Sequence, residues 1–175
     1  MCAGKHVAGR SALVSLRLLP ALLAVARAED LDPLEQALVD ALRDQGPLTA
    51  PELARVTGRE RRRLGSSLDR LQRKLVVTGA GAQERSRGWN AVVLDLVDRR
   101  YEDALRVVPG REEARRQLAD AVVRQAREVS AADLAAVLRC RVGEASAALD
   151  QLVEEGAARR REEEGFAIWT ARGRP

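Results

Sequence analysis

An internal repeat constrains this sequence more than any other feature. The stretch TAPELARVTGRERRRLGSSLDRLQRKLVVTG, which begins at residue 49, aligns without a gap with SAADLAAVLRCRVGEASAALDQLVEEGAARR, which begins at residue 130. The offset is 81 residues, and Leu68 and Asp69 recur in the second copy as Leu149 and Asp150. A repeat of this length predicts two copies of one small unit, each with its own core.

Each copy carries the signals of a short helix and a longer amphipathic helix. Thr49 and Glu52 form a predicted capping box at the start of the short helix, and Ser130 with Asp133 is an approximate copy of it. An amphipathic helix precedes each copy, and two short strand-like runs around a charged turn follow it. The order of helix, short helix, longer helix, strand, loop and strand predicts a winged helix-turn-helix in each half.

The predicted fold class is mainly α with small β-wings. Aromatic residues make up only 2% of the chain, and the abundant Ala, Leu and Arg favour helix over strand. We expect tandem winged helix-turn-helix domains preceded by an apolar N-terminal helix over residues 11–28. The predicted segments are residues 1–30 for the N-terminal apolar helix, 31–100 for the first winged helix, 101–110 for the linker and 111–175 for the second winged helix.

The longer helix of the first copy is strongly basic. Residues 59–74 contain seven basic and two acidic residues, whereas the equivalent residues 140–155 contain one basic and four acidic residues. On a helical wheel the leucines at 64, 68, 71 and 75 form one stripe. The opposite side carries Arg59, Arg62, Ser66, Arg70 and Arg73, and it is flanked by Arg63, Ser67 and Lys74. A winged helix-turn-helix presents this outer face to the major groove of DNA. The predicted DNA-binding residues are Arg59, Arg62, Arg63, Ser66, Ser67, Arg70, Arg73 and Lys74 of the helix, and Arg85 and Arg87 of the wing.

The alternative for this helix is an ordinary solvated face, which is what most charge runs are. The net charge of +4 and the pI of about 9.8 give only a mild preference for anionic partners, so the argument depends on where the charges lie. Trp89 and Trp169 follow the two wing turns. Packing in the core is the favoured role for both, and stacking on a nucleobase is the alternative.

Several classes of site are excluded by composition. The chain has two distant cysteines, Cys2 and Cys140, and the single histidine His6, so neither a disulfide framework nor a zinc site is predicted. No phosphate-binding loop or Ser-His-Asp set is present, and no cofactor is expected. Arg17 and Pro20 interrupt the apolar N-terminal run, which argues against a signal peptide or a membrane span. We expect a cytoplasmic, nucleoid-associated protein whose partner is double-stranded DNA, and a homodimer is left open.

Four stretches of the sequence resemble the AlkZ-related winged-helix proteins of the AlkZ/YcaQ-type DNA glycosylases. They are GKHVAGRSALVSLRLLPALLAV, GPLTAPELARVTG, LDRLQRKLVV and GWNAVVLDLVDRRY. The resemblance covers residues 4–170 and implies tandem winged helices on duplex DNA, without metal or cofactor. Members of that family extend further at the amino terminus, which predicts residues upstream of this sequence.

The family's catalytic Gln-x-Gln or Gln-x-Asp pair has no counterpart among the glutamines of this chain, so no catalytic residue is carried over. Our leading hypothesis from sequence is therefore a non-enzymatic DNA-binding protein. One alternative is a DNA repair glycosylase that acts on alkylated or crosslinked DNA, and another is a winged-helix adaptor that docks proteins. The glutamines without Gln or Asp two residues later are Gln36, Gln45, Gln72, Gln83, Gln117, Gln125 and Gln151.

Overall fold

The computed structural model describes residues 1–7, 10–26, 30–84, 90–163 and 165–172, with the backbone alone for residues 5–7 and 10–12. It divides into a first unit, Met1–Leu19 with Ala26–Arg106, and a second unit, Pro20–Val25 with Val107–Pro175. The described part of the chain is mainly helical and contains two small antiparallel sheets. None of its helices has the length and apolar character that crossing a membrane requires.

The elements follow one another along the chain with short connections. They are β1 (Cys2–Val7), β2 (Arg10–Val14), α1 (Leu19–Val25), α2 (Pro33–Gln45), β3 (Leu48–Thr49), α3 (Ala50–Thr57), α4 (Arg61–Arg73), β4 (Val77–Gln83), β5 (Ala91–Leu96), α5 (Val97–Arg100), a 3₁₀ turn (Glu102–Leu105), α6 (Arg111–Gln125), β6 (Val129–Ser130), α7 (Ala131–Leu138), α8 (Val142–Glu154), β7 (Ala158–Glu163) and β8 (Phe166–Ala171).

The first unit packs α2, α3 and α4 against a five-stranded sheet in the order β2-β1-β4-β5-β3. Its core is almost entirely leucine and valine, contributed by all three helices and by β3, β4 and β5. The β1–β2 hairpin joins the sheet through Ala3, which pairs with Gly79 of β4, and the Thr78 hydroxyl donates to the Ala3 carbonyl at 2.8 Å. The hairpin therefore extends the sheet past β4 and lies beside α4.

The prediction of an apolar helix over residues 11–28 is wrong for its first part. Residues 10–14 form β2, and among the described residues of this stretch helix occurs only over Leu19–Val25. Leu13 is 66% exposed and Val14 is 7% exposed, which is the period-two alternation of a strand. Pro20 lies in the first turn of α1, where the missing N–H needs no partner, so helix begins only there. Residues 27–29 lie outside the described part of the chain, including the predicted helix end.

The helix starts predicted at Thr49 and Ser130 are confirmed, and α2 begins with the same kind of cap. Asp32 caps α2 by accepting from the Glu35 N–H at 2.8 Å, and Glu35 accepts in return from the Asp32 N–H at 3.1 Å. At α7, Ser130 accepts from the Asp133 N–H at 3.1 Å and donates its own N–H to that carboxylate at 3.2 Å. At α3, the Thr49 N–H likewise donates to the Glu52 carboxylate at 2.7 Å. These reciprocal bonds satisfy N–H groups that the first helical turn leaves without partners.

The second unit packs α6, α7 and α8 with a three-stranded sheet in the order β6-β8-β7. Trp169 of β8 is 2% exposed, and its indole N–H donates to Asp150 of α8 at 3.2 Å. The Arg160 guanidinium lies 5.4 Å from the centre of the indole ring. Trp169 is thus a core residue, as the sequence predicts, while Trp89 lies outside the described residues.

Candidate nucleic-acid interface

Helix α4 is held in the first unit by one stripe of leucines. Leu64, Leu68 and Leu71 are at most 6% exposed, and Leu75 after the helix is 4% exposed. These residues repeat at intervals of three or four, so one face of the helix is buried against the core and the opposite face meets solvent. The leucine stripe therefore fixes which side chains α4 can present to a partner.

The exposed face of α4 carries most of the predicted DNA-binding residues. Arg62, Arg63, Ser66 and Arg73 are exposed on the helix, and Arg59 is exposed two residues before its first turn. Arg63 lies 3.9 Å from Glu60, but both side chains are more than 70% exposed, so water screens that pair. Four guanidinium groups and a hydroxyl are thus free to approach an anionic partner from solvent.

Three other predicted DNA-binding residues lie at the packed edge of α4 instead. Ser67 is 2% exposed, and Arg70 donates to Glu35 at 2.7 Å and to Asp32 at 2.6 Å. Lys74 donates to Glu35 at 2.8 Å. The wheel placed Arg70 on the outer face, but the N-terminal end of α2 occupies that flank. Arg70 and Lys74 therefore join α4 to the start of α2.

Glu35 is the centre of this cluster. Its side chain is 1% exposed and accepts from Arg70, Lys74 and the Asp32 N–H. Burial raises the pKa of the Glu35 carboxyl, but the hydrogen bonds from Lys74, Arg70 and the Asp32 amide outweigh it, so the pKa lies below its ordinary value. The carboxylate therefore stays ionised at neutral pH and ties two cations of α4 to the start of α2.

An open groove of about 860 Å³ runs beside α4. One wall is formed by α4, and the others by the β1–β2 hairpin, β4, β5 and the start of α3. Apolar side chains, including Leu13, Leu68 and Leu94, make up most of its lining. The polar side chains that line it are Arg61, Asp69, Gln72 and Asn90. Arg61 is not among the predicted DNA-binding residues, although it is an exposed member of the same arginine run.

The equivalent helix of the second unit has a different surface. The offset of 81 residues places Gly143, Ala147 and Glu154 of α8 where α4 has Arg62, Ser66 and Arg73, and all six are exposed. The ion pair between the helices also has its charges exchanged. At the offset of 81 residues, Arg116 of α6 corresponds to Glu35 and Glu155 corresponds to Lys74, and Arg116 donates to Glu155 at 2.9 Å. The second helix thus has neither the charge nor the donors of the first.

Parts of the predicted site cannot be placed. Arg85 and Arg87 of the predicted wing lie outside the described residues. Within the described part of the chain, no group of three or more His, Cys, Asp or Glu residues is arranged to hold a metal ion. The candidate interface therefore consists of the exposed arginines and Ser66, with the groove beside them.

Comparison with known proteins identifies one family. The family model described as DNA glycosylase AlkZ-like matches residues 8–175. The comparison with curated proteins found no match. Among solved structures, the crystal structure of the DIP2311 protein from Corynebacterium diphtheriae is similar, with 18% sequence identity and a TM-score of 0.32. That similarity covers 87% of this chain and 29% of the other, so this chain spans less than a third of that protein's length.

Proposed function

Because the chain belongs to the DNA glycosylase AlkZ-like family, we propose that it acts on duplex DNA in the repair of alkylated or crosslinked bases. The observation that carries this proposal is the solvent-facing row of arginines on α4, in a chain whose family is defined by DNA chemistry. Membership of a glycosylase family favours this role over the purely non-enzymatic DNA binding that the sequence alone suggested. Such a protein would be associated with the nucleoid.

Each unit is proposed to be a winged helix. In support, each has three helices followed by a β-hairpin, with a two-residue strand between the first and second helices that pairs with the second hairpin strand. Corresponding elements also begin 81 residues apart, as with Ala50–Thr57 and Ala131–Leu138. In this arrangement α4 and α8 take the recognition-helix position, whose outer face enters the major groove.

We propose that α4 is the helix that contacts DNA. Its exposed arginines provide planar, permanently charged donors for phosphate oxygens and for guanine edges, and Ser66 can donate to the backbone. Gly143, Ala147 and Glu154 give α8 no cationic donor at the same positions, so we assign it no DNA contact. Because Arg70 and Lys74 are already bonded to carboxylates, binding is assigned to Arg59, Arg62, Arg63 and Arg73.

A second candidate function remains non-enzymatic DNA binding, and one sequence observation favours it. None of the seven glutamines is followed by Gln or Asp two residues later, so the catalytic pair that the family resemblance implies has no counterpart in these 175 residues. Under this alternative the chain binds duplex through the same face of α4 but releases no base.

Base release distinguishes the two functions. The chain is incubated with a methylated duplex and with an interstrand-crosslinked duplex, and freed bases and unhooked strands are quantified by mass spectrometry and denaturing gels. Release above the protein-free rate supports the repair glycosylase. Binding without release supports the non-enzymatic alternative. A folded chain that neither binds nor releases would contradict both and would favour a protein-docking adaptor.

A further inference from the structure

Gly65 is an unusual residue to find in the middle of α4. It is the fifth of the helix's 13 residues, and glycine is the least favourable residue for a helix interior apart from proline. Glycine is usually explained by a positive φ or by a crowded neighbour, but Gly65 is not among the glycines with positive φ. No atom of the described residues outside its own helix backbone and chain neighbours lies within 4 Å of where its Cβ would be. The described residues therefore supply no packing reason for a glycine here.

Gly79 also lines the groove, but its surroundings differ from those of Gly65. A Cβ added to Gly79 would make ordinary van der Waals contacts with the Ala3 carbonyl at 3.6 Å and with Val92 at 3.8 Å, so β1 and β5 lie directly beside it. At Gly65 the corresponding space is the open groove itself. Because Gly65 has no side chain, the backbone of the middle turn of α4 is directly accessible from the groove.

The position of the groove indicates what occupies that space. Arg61 lines the groove and is also a member of the exposed basic run on α4, so the groove is continuous with the proposed DNA-binding face. Apart from Arg70 and Lys74, which are bonded to carboxylates, this run carries five exposed arginines and two acidic residues, which suits a polyanion. The polar side chains of the lining are one guanidinium, one carboxylate (Asp69) and two amides. The guanidinium and the amides are donors that proteins use for phosphates, sugars and base edges, and apolar side chains pack on thymine methyl groups.

We propose that the groove beside α4 receives one strand of the bound duplex, and that Gly65 is the point where this strand comes closest to the helix backbone. This inference rests on the proposed function, because it names the residue at which α4 and duplex DNA meet. Arg61 holds the phosphate backbone at the mouth of the groove. Gly65 sets how deeply the strand can enter.

The test is a substitution whose effects on folding and on binding have opposite signs. Gly65→Ala removes an unfavourable helix residue and adds a methyl group to the groove. We expect the melting temperature to rise by a few degrees, because the alanine meets no described neighbour. We expect the dissociation constant for a 20-base-pair duplex to increase roughly tenfold. A tenfold change corresponds to about 1.4 kcal/mol, which lies within the usual cost of an overpacked contact. The slope of affinity against salt stays unchanged, because the phosphate contacts are retained.

Gly143→Ala is the matched control. Gly143 is an exposed glycine of the acidic helix α8 and also has no described atom within 4 Å of its Cβ position. This variant should bind the duplex within twofold of the wild type. Binding by Gly65→Ala that equals the wild type would overturn the inference while leaving the proposed function intact. A lower melting temperature for Gly65→Ala would also overturn it, because the glycine would then be required by the fold. A wild type that binds no duplex would remove the proposed function and this inference together.

Discussion

Replacing Glu35 with glutamine tests the cluster that positions α4. The wild-type carboxylate is 1% exposed and accepts from Arg70 and Lys74. Breaking a buried ion pair by removing one partner costs about 3–5 kcal/mol. Arg70 is 39% exposed and keeps Asp32, and the glutamine retains an oxygen for the Asp32 amide, so the cost should lie at or below the lower end of that range. We expect Glu35→Gln to lower the free energy of unfolding by about 2–3 kcal/mol at pH 7.

The destabilisation caused by Glu35→Gln should depend on pH in a defined direction. The pKa of Glu35 in the folded protein lies below its ordinary value of 4.5, so its contribution to stability is complete above that pH and is lost as the pH falls through the folded pKa. The difference between wild type and Glu35→Gln should therefore be full at pH 7 and should shrink below pH 4.5. Urea titrations followed by circular dichroism give the free energies, and hydrogen exchange in α2 and α4 assigns the transition to the first unit.

Glu60→Gln is the control for this experiment. Glu60 is 79% exposed and lies 3.9 Å from Arg63, so the same chemical change should alter stability by less than about 0.5 kcal/mol. The reasoning fails if Glu35→Gln is as stable as the Glu60 variant at pH 7. It also fails if the destabilisation is the same at pH 7 and at pH 3, because the charge of Glu35 would then contribute nothing.

Three further predictions concern the second unit and use the same urea titrations. Arg139 follows α7 with φ 54°, where the first unit has Gly58 at φ 64°, so Arg139→Gly should raise the free energy of unfolding by about 1 kcal/mol. A loss of stability would show that the arginine side chain makes a contact that the fold needs. Hydrogen bonds from Arg116 lower the pKa of Glu113 to about 2, so Glu113→Gln should lower the free energy of unfolding at pH 7. The difference in stability between this variant and the wild type should disappear between pH 4.5 and 2, and a difference that stays constant would contradict this. Trp169→Phe removes a buried indole hydrogen bond and ring volume and should cost about 1–3 kcal/mol, whereas an unchanged midpoint would show that neither is needed.

Apart from the N-terminal one, the helices of this fold could be predicted well because their signals are local. Asp32 and Ser130 each mark a helix start through a reciprocal bond to a residue three positions on, and the leucine stripe of α4 follows from its spacing alone. The N-terminal hairpin could not be predicted in the same way. Its pairing of Ala3 with Gly79 joins residues far apart in sequence, and the apolar content of residues 11–28 suits either a strand or a helix.

The candidate interface could be predicted only in part, for a related reason. A helical wheel separates the core face from the solvent face, but it does not show which neighbour covers the flank. Arg70 and Lys74 turned out to meet Glu35, whose own signal in the sequence was only its place three residues after Asp32. The reversed pair of Arg116 and Glu155 shows that either polarity can join these helices, so charge alone did not reveal the contact. Gly65 gave no signal until the space around it was known.

The measurement that tests the central claim most directly is duplex binding across a salt series by fluorescence anisotropy. The wild type is compared with a variant in which Arg62, Arg63 and Arg73 are alanine. A control variant loses three exposed arginines of the second unit, Arg111, Arg127 and Arg159.

If α4 is the DNA-contacting helix, the α4 variant should lose affinity and its log–log salt slope should fall by roughly three, while the control keeps the wild-type slope. Equal losses in both variants would mean that net charge alone attracts the duplex, and no wild-type binding at about 50 mM salt would mean that α4 is a solvated face.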